Sequence, residues 1–465
     1  MEDTQKAELF ERTSIPKAVL TLSIPTVLSS LVMVLYNLAD TYFVGMLQDP
    51  IQNSAVTLAA PVLLAFNAVN NLFGVGSSSM MSRSLGAKDY DTVRRSSAFG
   101  FYCALLCGIL FSVLATVFRP SLLVLLGADK STSQATLEYM RWTVTCGAVP
   151  AILNVVMAYL VRSEGATLHA SIGTMSGCLL NIVLDPVFIL PWGLDMGAAG
   201  AGLATFLSNC FACLYFFVLL FVRRGRTYVC FQPAMARPRK ALVKGVFGVG
   251  VPASIQNLLN VTGMTVLNNF TAVFGPDVIA AMGIAYKINM IPMYIAMGVS
   301  QGLMPLVSYN YGGGNVPRLK KAVAFAAKIS LGFMAVAAVF CFFTSGTLIG
   351  LFMKTKAVVD YGSQFLRCMC VAQPFLAMDF LAVGVFQACG LGRYSLLFAI
   401  LRKIVLEIPA LYILNYFIPL YGLACAQAVA EVVLAAAAVA ILMRLFRRME
   451  DEGTPLDPRR HRGVS

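Results

Sequence analysis

Residues 23–45 read SIPTVLSSLVMVLYNLADTYFVG, an apolar run broken by a single charge, Asp40. A helix crosses a bilayer with roughly 20 mainly apolar residues, so this stretch reads as a membrane span. The pattern recurs along the whole chain. Its 465 residues are 58% hydrophobic and only 12% charged, where a soluble domain carries about 25%. The length rule divides the chain into about twelve spans. They lie near 16–45, 53–82, 95–118, 136–160, 168–190, 197–222, 241–272, 278–307, 320–344, 360–388, 395–416 and 421–446. The expected fold is an all-α polytopic membrane protein with twelve transmembrane helices.

A net charge of +13 raises nucleic acid as a partner, but its placement argues for none. Arg83, Lys88, Arg94 and Arg95 fall between spans two and three, and Arg223, Arg224, Arg226, Arg237, Arg239, Lys240 and Lys244 between six and seven. Arg318, Lys320 and Lys321 precede span nine, and Arg444, Arg447 and Arg448 follow span twelve. Alternate loops hold few: Arg119 and Lys130 in one, Lys354 and Lys356 in another. The positive-inside rule then places both termini in the cytoplasm of a multi-pass plasma-membrane protein. The polar, acidic start MEDTQKAELFERTS is no cleavable signal peptide.

Most of the twelve cysteines lie within spans, and the loop exception, Cys230, is on the cytoplasmic side, so no disulfide framework is expected. Cys368 and Cys370 form C-x-C, and Cys103 and Cys107 are one turn apart. With His169 and His461 the sole histidines, packing is the reading rather than a metal site.

The chain repeats with an offset of about 225 residues. SIPTVLSSL at 23–31 matches GVPASIQNL at 250–258, SLGAKDYDTVRRS at 84–96 matches YNYGGGNVPRLKK at 309–321, and GAAGAGLAT at 197–205 matches GLACAQAVA at 422–430. Six spans per half give parallel repeats, a usual build for secondary transporters. The domain reading is a cytoplasmic tail 1–15, an N-lobe 16–222, a basic linker 223–240, a C-lobe 241–446 and a cytoplasmic tail 447–465, with the lobes pseudo-symmetric. No G-x-x-x-x-G-K-[ST] loop is present, which argues against direct ATP use.

Ionisable groups inside spans are costly and are functional candidates by default. Asp40 shares a helical face with Asn37, Tyr36, Met33 and Ser29; Asp185 shares one with Asn181, Cys178 and Thr174. At 1.5 Å per residue, Asp40 lies about 33 Å along span one, Asp185 about 24 Å along span five, and Thr205 about 12 Å into span six from the opposite end. All three fall in the outer half of the membrane, which makes a joint site. Pro186 frees the carbonyl of Ile182 one turn back. Such oxygens suit protons or small hard cations, and a close carboxylate pair can share a proton. The competing reading has each aspartate capping a helix end at the rim.

The second half differs. Asn257, Asn260, Met264 and Asn268 share a face of span seven, and span eight carries Tyr286, Met290, Met293, Tyr294 and Met297. Met and Tyr form adaptable walls for varied apolar ligands; plain helix packing is the other reading. Lys287 either snorkels or pairs with Glu431 or Asp379, and Asp379, Glu407 and Glu431 are candidates for a second proton site. Arg402 and Lys403, taken as near a helix end, are expected at lipid headgroups. Asn67, Asn70, Asn71 and Asn154 either line a cavity or bond between helices, and Gly74, Gly76 and Ser77 to Ser79 allow close helix approach.

The segments IPTVLSSLVMVLYNLADTYFVG, FGVGSSSMMSRSLGAKD and EGATLHASIGTMSGCLLNIVLDPVFI resemble the multidrug and toxic compound extrusion (MATE) transporters, in particular their MepA-like bacterial group. The resemblance covers nearly the whole chain apart from the tails. It implies two six-helix lobes around a central V-shaped cleft and export of cationic amphiphilic drugs and dyes in exchange for Na⁺ or H⁺, with no other cofactor. The coupling ion would sit in the N-lobe on Asp40, Asn181, Asp185 and Thr205, with Asn37 beside them. Tyr36, Met33, Asn257, Asn260, Tyr286, Met290, Met293 and Tyr294 would line the cargo cleft. Pro25 matches a first-helix proline linked to bending in some relatives. Some relatives use an acid in span seven; here none precedes Asp277. The expected partners are small-molecule drugs or dyes and membrane lipids, and the expected state is a monomer. The alternative within the superfamily is a flippase or exporter of a lipid-linked or other amphiphilic metabolite, whose cleft would be rich in Arg. A membrane enzyme is disfavoured by the short external loops.

Overall fold

The computed structural model describes residues 7–453, so the outermost parts of the two expected tails, 1–6 and 454–465, lie outside the described residues. Those described are helical with no strand. Helix is the solution a bilayer enforces, because each backbone polar group must find its partner within its own segment. Ten helices are long and apolar enough to cross a membrane: α1 (Ile15–Gly45), α2 (Pro50–Gly86), α3 (Tyr90–Val117), α5 (Thr167–Ile189), α6 (Gly197–Val222), α7 (Lys240–Ala272), α8 (Pro276–Gly312), α9 (Val316–Phe352), α10 (Lys356–Ala388) and α12 (Tyr421–Asp451). An eleventh, α4, is the pair Ser133–Cys146 and Ala148–Ser163, bent by 48°. The twelfth, α11, runs unbroken over 392–417 through a π-helical stretch, Leu401–Glu407, that carries Arg402, Lys403 and Glu407. Those charges interrupt an otherwise apolar helix. Large apolar side chains point outward along the helices, Leu106, Phe221 and Phe343 among them, as lipid-facing surfaces require.

Packing groups the chain into two units. The first is built on Leu31–Ser254; the second combines Glu8–Ser30 with the chain from Ile255 onward. The first part of α1 thus belongs with the second repeat, and the first part of α7 with the first repeat. Close backbone approaches at glycines explain this. In the first unit, Gly76 abuts Val246 and Gly250 abuts Leu72, both against backbone, and the Ser254 hydroxyl donates to the Ala68 carbonyl at 2.5 Å. In the second, a Cβ on Gly298 would fall 2.8 Å from Val27 Cα, and one on Gly302 would fall 2.6 Å from Ser23 Cα. Small residues let helix backbones approach this closely. Pro25 lies within α1 and Pro252 within α7, each a few residues before the position where its helix changes unit.

The second unit also holds the segment Glu8–Arg12. Phe10 is fully buried and stacks on Tyr309 at 4.6 Å. Arg318 donates to the carbonyls of Phe10 at 2.6 Å and Thr13 at 2.5 Å. In the first unit the linker is tied down: Glu164 accepts from the Thr227 hydroxyl and the Tyr228 amide, both at 2.9 Å. Asn154 donates to Asn209 of α6 at 3.1 Å, the interhelical bond rather than a cavity lining. The C-x-C thiols find separate neighbours: Cys425 Sγ lies 3.1 Å from Cys368 Sγ, while Cys370 Sγ accepts from the Gln373 amide at 3.9 Å.

The α5–α6 contact positions the site described below. The run GAAGAG at 197–202 puts Gly200 against the backbone of Phe188, where a Cβ would sit 2.6 Å from the carbonyl carbon. Backbone cannot yield as a flexible side chain does. Gly200→Ala is expected to cost about 1–3 kcal/mol, read as a lowered thermal unfolding midpoint in detergent.

Candidate functional site

In the first unit four helices bring polar side chains to the same end. Asp40 lies five residues before the end of α1, Asp185 four before the end of α5, Thr205 eight after the start of α6, and Tyr139 six into α4. That is about 6–12 Å of helix in each case, so the depths agree with the reading from residue counts. Asp185 is fully buried, Asn181 is 2% exposed and Tyr139 5%; Asp40 and Tyr36 are half-buried.

Asn181 joins α5 to α6. With its amide nitrogen turned to the carboxylate, it donates to Asp185 Oδ2 at 2.7 Å, and its oxygen accepts from the Thr205 amide at 3.1 Å and hydroxyl at 3.2 Å. This orientation is the one that satisfies both groups. The spacing 181 to 185 is one helical turn, which is why residues four apart can meet. The Tyr36 side chain of α1 lies within electrostatic range of Asp40 and of Tyr139. Asp40 lies within electrostatic range of Asp185, and Tyr139 within range of both carboxylates. Pro186 has no N–H to offer Ile182, which leaves that carbonyl without its helical donor. Neither aspartate is ion-paired with a basic side chain among the described residues.

Asp40, Asn181, Asp185 and Thr205 thus come together. Asn37 does not join them: it is exposed, and its backbone carbonyl accepts from Thr41. Tyr36, expected on the cargo wall, also lies beside the carboxylate cluster, within electrostatic range of Asp40. Tyr139 was not among the sequence candidates. Its position near one end of a span was the available signal, but a tyrosine there reads equally well as an interfacial anchor.

The second unit holds a second polar cluster, with a different membership from the one expected. Arg402 and Lys403 do not reach headgroups. Arg402 is buried and pairs with Glu431 at 2.5 Å; Lys403 pairs with Glu407 at 2.6 Å. They sit mid-helix in α11, not at its end. Buried Asp379 lies within electrostatic range of Glu431 and Arg402, and Arg402 lies over the Phe380 ring at 5.4 Å. Lys287 pairs with neither Glu431 nor Asp379 among the described residues, because Arg402 occupies that role. Three carboxyls therefore face two cations. Gln256, Asn260, Asp379, Phe380 and Arg402 line a pocket of about 280 Å³. Gly263 of α7 makes room for the Lys403 stem, which a Cβ would meet at 2.8 Å. Tyr286 is within electrostatic range of Arg402, Glu407 and Tyr294. Met290, Met293, Tyr294 and Asn257 are partly buried, as is Met33 in the first unit.

Residues 25–187 and, again, 252–413 match the MatE family profile. The double match is the internal repeat seen in the sequence. The chain is 33% identical over 442 residues to the multidrug export protein MepA of Staphylococcus aureus, covering 95% of this chain and 96% of that one. It is equally similar, at 33% over the same share, to the MepA of Staphylococcus saprophyticus. Among solved structures, a multidrug resistance MATE family transporter in its outward-facing conformation superposes with a TM-score of 0.90 at 27% identity, covering 96% of this chain and 99% of the other. A MOP superfamily transporter from Pyrococcus furiosus, described as having a binding pocket of reverse polarity, superposes at 0.88 with the same identity and coverage. This twelve-helix chain, with its paired repeats, is a member of the MATE family of membrane transporters.

Proposed function

We propose that the protein is a multidrug efflux antiporter that exports cationic amphiphilic compounds by alternating access, coupled to inward flow of Na⁺ or H⁺. One observation carries this reading: two carboxylates, Asp40 and buried Asp185, lie in mutual range with no basic side chain paired to either among the described residues. Burying such charge uncompensated is prohibitively costly, so the site calls for a mobile cation. Asn181, Thr205 and the Ile182 carbonyl add the neutral oxygens that a proton carrier or a small hard cation uses. Coupling needs ion and drug to disfavour one another, since a ligand shifts an equilibrium only by its differential affinity. In this reading both termini are cytoplasmic, the membrane is the bacterial inner membrane, and the protein works as a monomer.

The names of the relatives support multidrug cargo. The flippase alternative requires free guanidinium groups for a pyrophosphate, and Arg402, buried in the second unit, is already neutralised by Glu431. The Asp379–Glu431–Glu407 cluster, with its excess of one carboxyl, is a second proton site in the same proposal.

The test is ethidium efflux from proteoliposomes under an imposed Na⁺ or pH gradient, applied separately. One gradient is expected to drive export at least tenfold above the no-gradient rate. Export indifferent to both would overturn the coupling, and a failure to move dye at all would favour the alternative cargo.

A further inference from the structure

The basic residues that break the charge asymmetry remain unexplained by transport. Arg119 begins the short helix Arg119–Leu125 that follows α3, and Arg141 lies in the first part of α4. Both line one shallow pocket, with Thr145 beside them and Leu122, Leu123 and Leu137 forming an apolar wall. This pocket lies within the first unit, at the end where α3 finishes and α4 begins.

Neither guanidinium has a carboxylate within ion-pairing distance among the described residues. The two acids nearest in sequence are engaged elsewhere. Asp129 accepts from the Ser131 hydroxyl at 2.7 Å and from the Thr132 amide and hydroxyl, both at 2.8 Å. Those bonds push its carboxyl down to about 2, so it stays ionised and committed to its own turn. Glu138 accepts from Gln134 at 2.6 Å. Two unneutralised guanidinium groups on one pocket are a phosphate-binding arrangement, because the planar fork matches a tetrahedral oxyanion.

The surroundings say where the phosphate comes from. Val124 and Leu125 of the short helix are 77% and 81% exposed, and Val117 and Phe118 just before it are exposed too. Water would not favour that cluster of apolar side chains; the boundary between headgroups and acyl chains would. Arg141 also lies over the Trp142 ring at 5.6 Å, and tryptophan concentrates at that boundary. We propose that Arg119 and Arg141 form a binding site for the phosphate of an anionic phospholipid, with the acyl chain descending along Leu122, Leu123 and Leu137. The site holds the hairpin between α3 and α4 at its proper depth.

The test uses the full-length protein in detergent, titrated with phosphatidylglycerol, phosphatidylcholine and inorganic phosphate. Bound lipid is read by native mass spectrometry and by the shift in unfolding midpoint. Wild-type protein is expected to retain phosphatidylglycerol in preference to phosphatidylcholine. R119Q/R141Q is expected to bind phosphatidylglycerol roughly thirtyfold more weakly, about fivefold per basic group, while R119K/R141K keeps most of the affinity. Should the double glutamine variant fail to fold, each single glutamine variant carries the same comparison at about fivefold. Equal binding of phosphatidylglycerol by wild type and the glutamine variants overturns the site. Equal binding of phosphatidylcholine overturns the anionic selectivity, and saturation by inorganic phosphate at the same concentration overturns the lipid in favour of a free anion.

Discussion

Asp185→Asn is expected to abolish gradient-driven export while leaving the protein folded. The substitution keeps shape and keeps an oxygen for the Asn181 amide, which now donates to Asp185 Oδ2 at 2.7 Å. It removes the charge that the coupling ion neutralises. Because that charge is fully buried and lacks a basic partner, its loss should leave the empty protein as stable as the wild type or more so. Ethidium binding to the purified variant is expected to persist, since the cargo is not held by the carboxylate in this mechanism. Export under the driving gradient should fall by about two orders of magnitude; each factor of ten corresponds to about 1.4 kcal/mol of lost coupling. Asp40→Asn should act in the same direction. A D185N variant that exported dye at the wild-type rate would remove Asp185 from the coupling step. One that lost both dye binding and thermal stability would recast it as a structural residue.

The two aspartates were legible because a bilayer penalises a charge so heavily that a lone carboxylate in an apolar run announces itself. The spans were legible for the same reason, and their counted depths placed Asp40, Asp185 and Thr205 at one level. Asn181 followed from one-turn spacing. What escaped was whatever depends on contacts between distant segments. Arg402 and Lys403 read as a helix end because clustered basic residues usually mark one. In the structure a π-helical stretch carries them through the middle of α11, where buried acids from α10 and α12 receive Arg402. Tyr36 read as a cargo wall because it shares a face with Met33, and its nearness to Tyr139 of α4 is a contact between segments that no local pattern shows. The linker at 223–240 divides the chain by sequence. The grouping of residues 8–30 with the second repeat rests on glycine contacts near Gly298 and Gly302, which no local pattern announces.

Arg402→Met is expected to be among the most destabilising single substitutions in the chain. It removes the cation paired with Glu431, which is fully buried and stands beside the buried Asp379. Breaking a buried pair from one side costs about 3–5 kcal/mol, because the remaining charge is left without compensation. Methionine replaces the stem well enough that lost packing contributes little. The companion variant separates the two causes. Glu431→Leu in the Arg402→Met background removes both charges and should recover most of the loss, since a buried pair replaced by apolar side chains is often neutral or better. The double-mutant coupling should therefore exceed about 2 kcal/mol, measured by reversible unfolding in mixed micelles. Independent, additive effects would mean that the 2.5 Å contact contributes no pairing energy. If the double variant recovers its stability and also keeps gradient-driven export, the second cluster is architectural and the ion cycle belongs to Asp40 and Asp185 alone. If it recovers stability but loses export, the extra carboxyl of that cluster takes part in coupling.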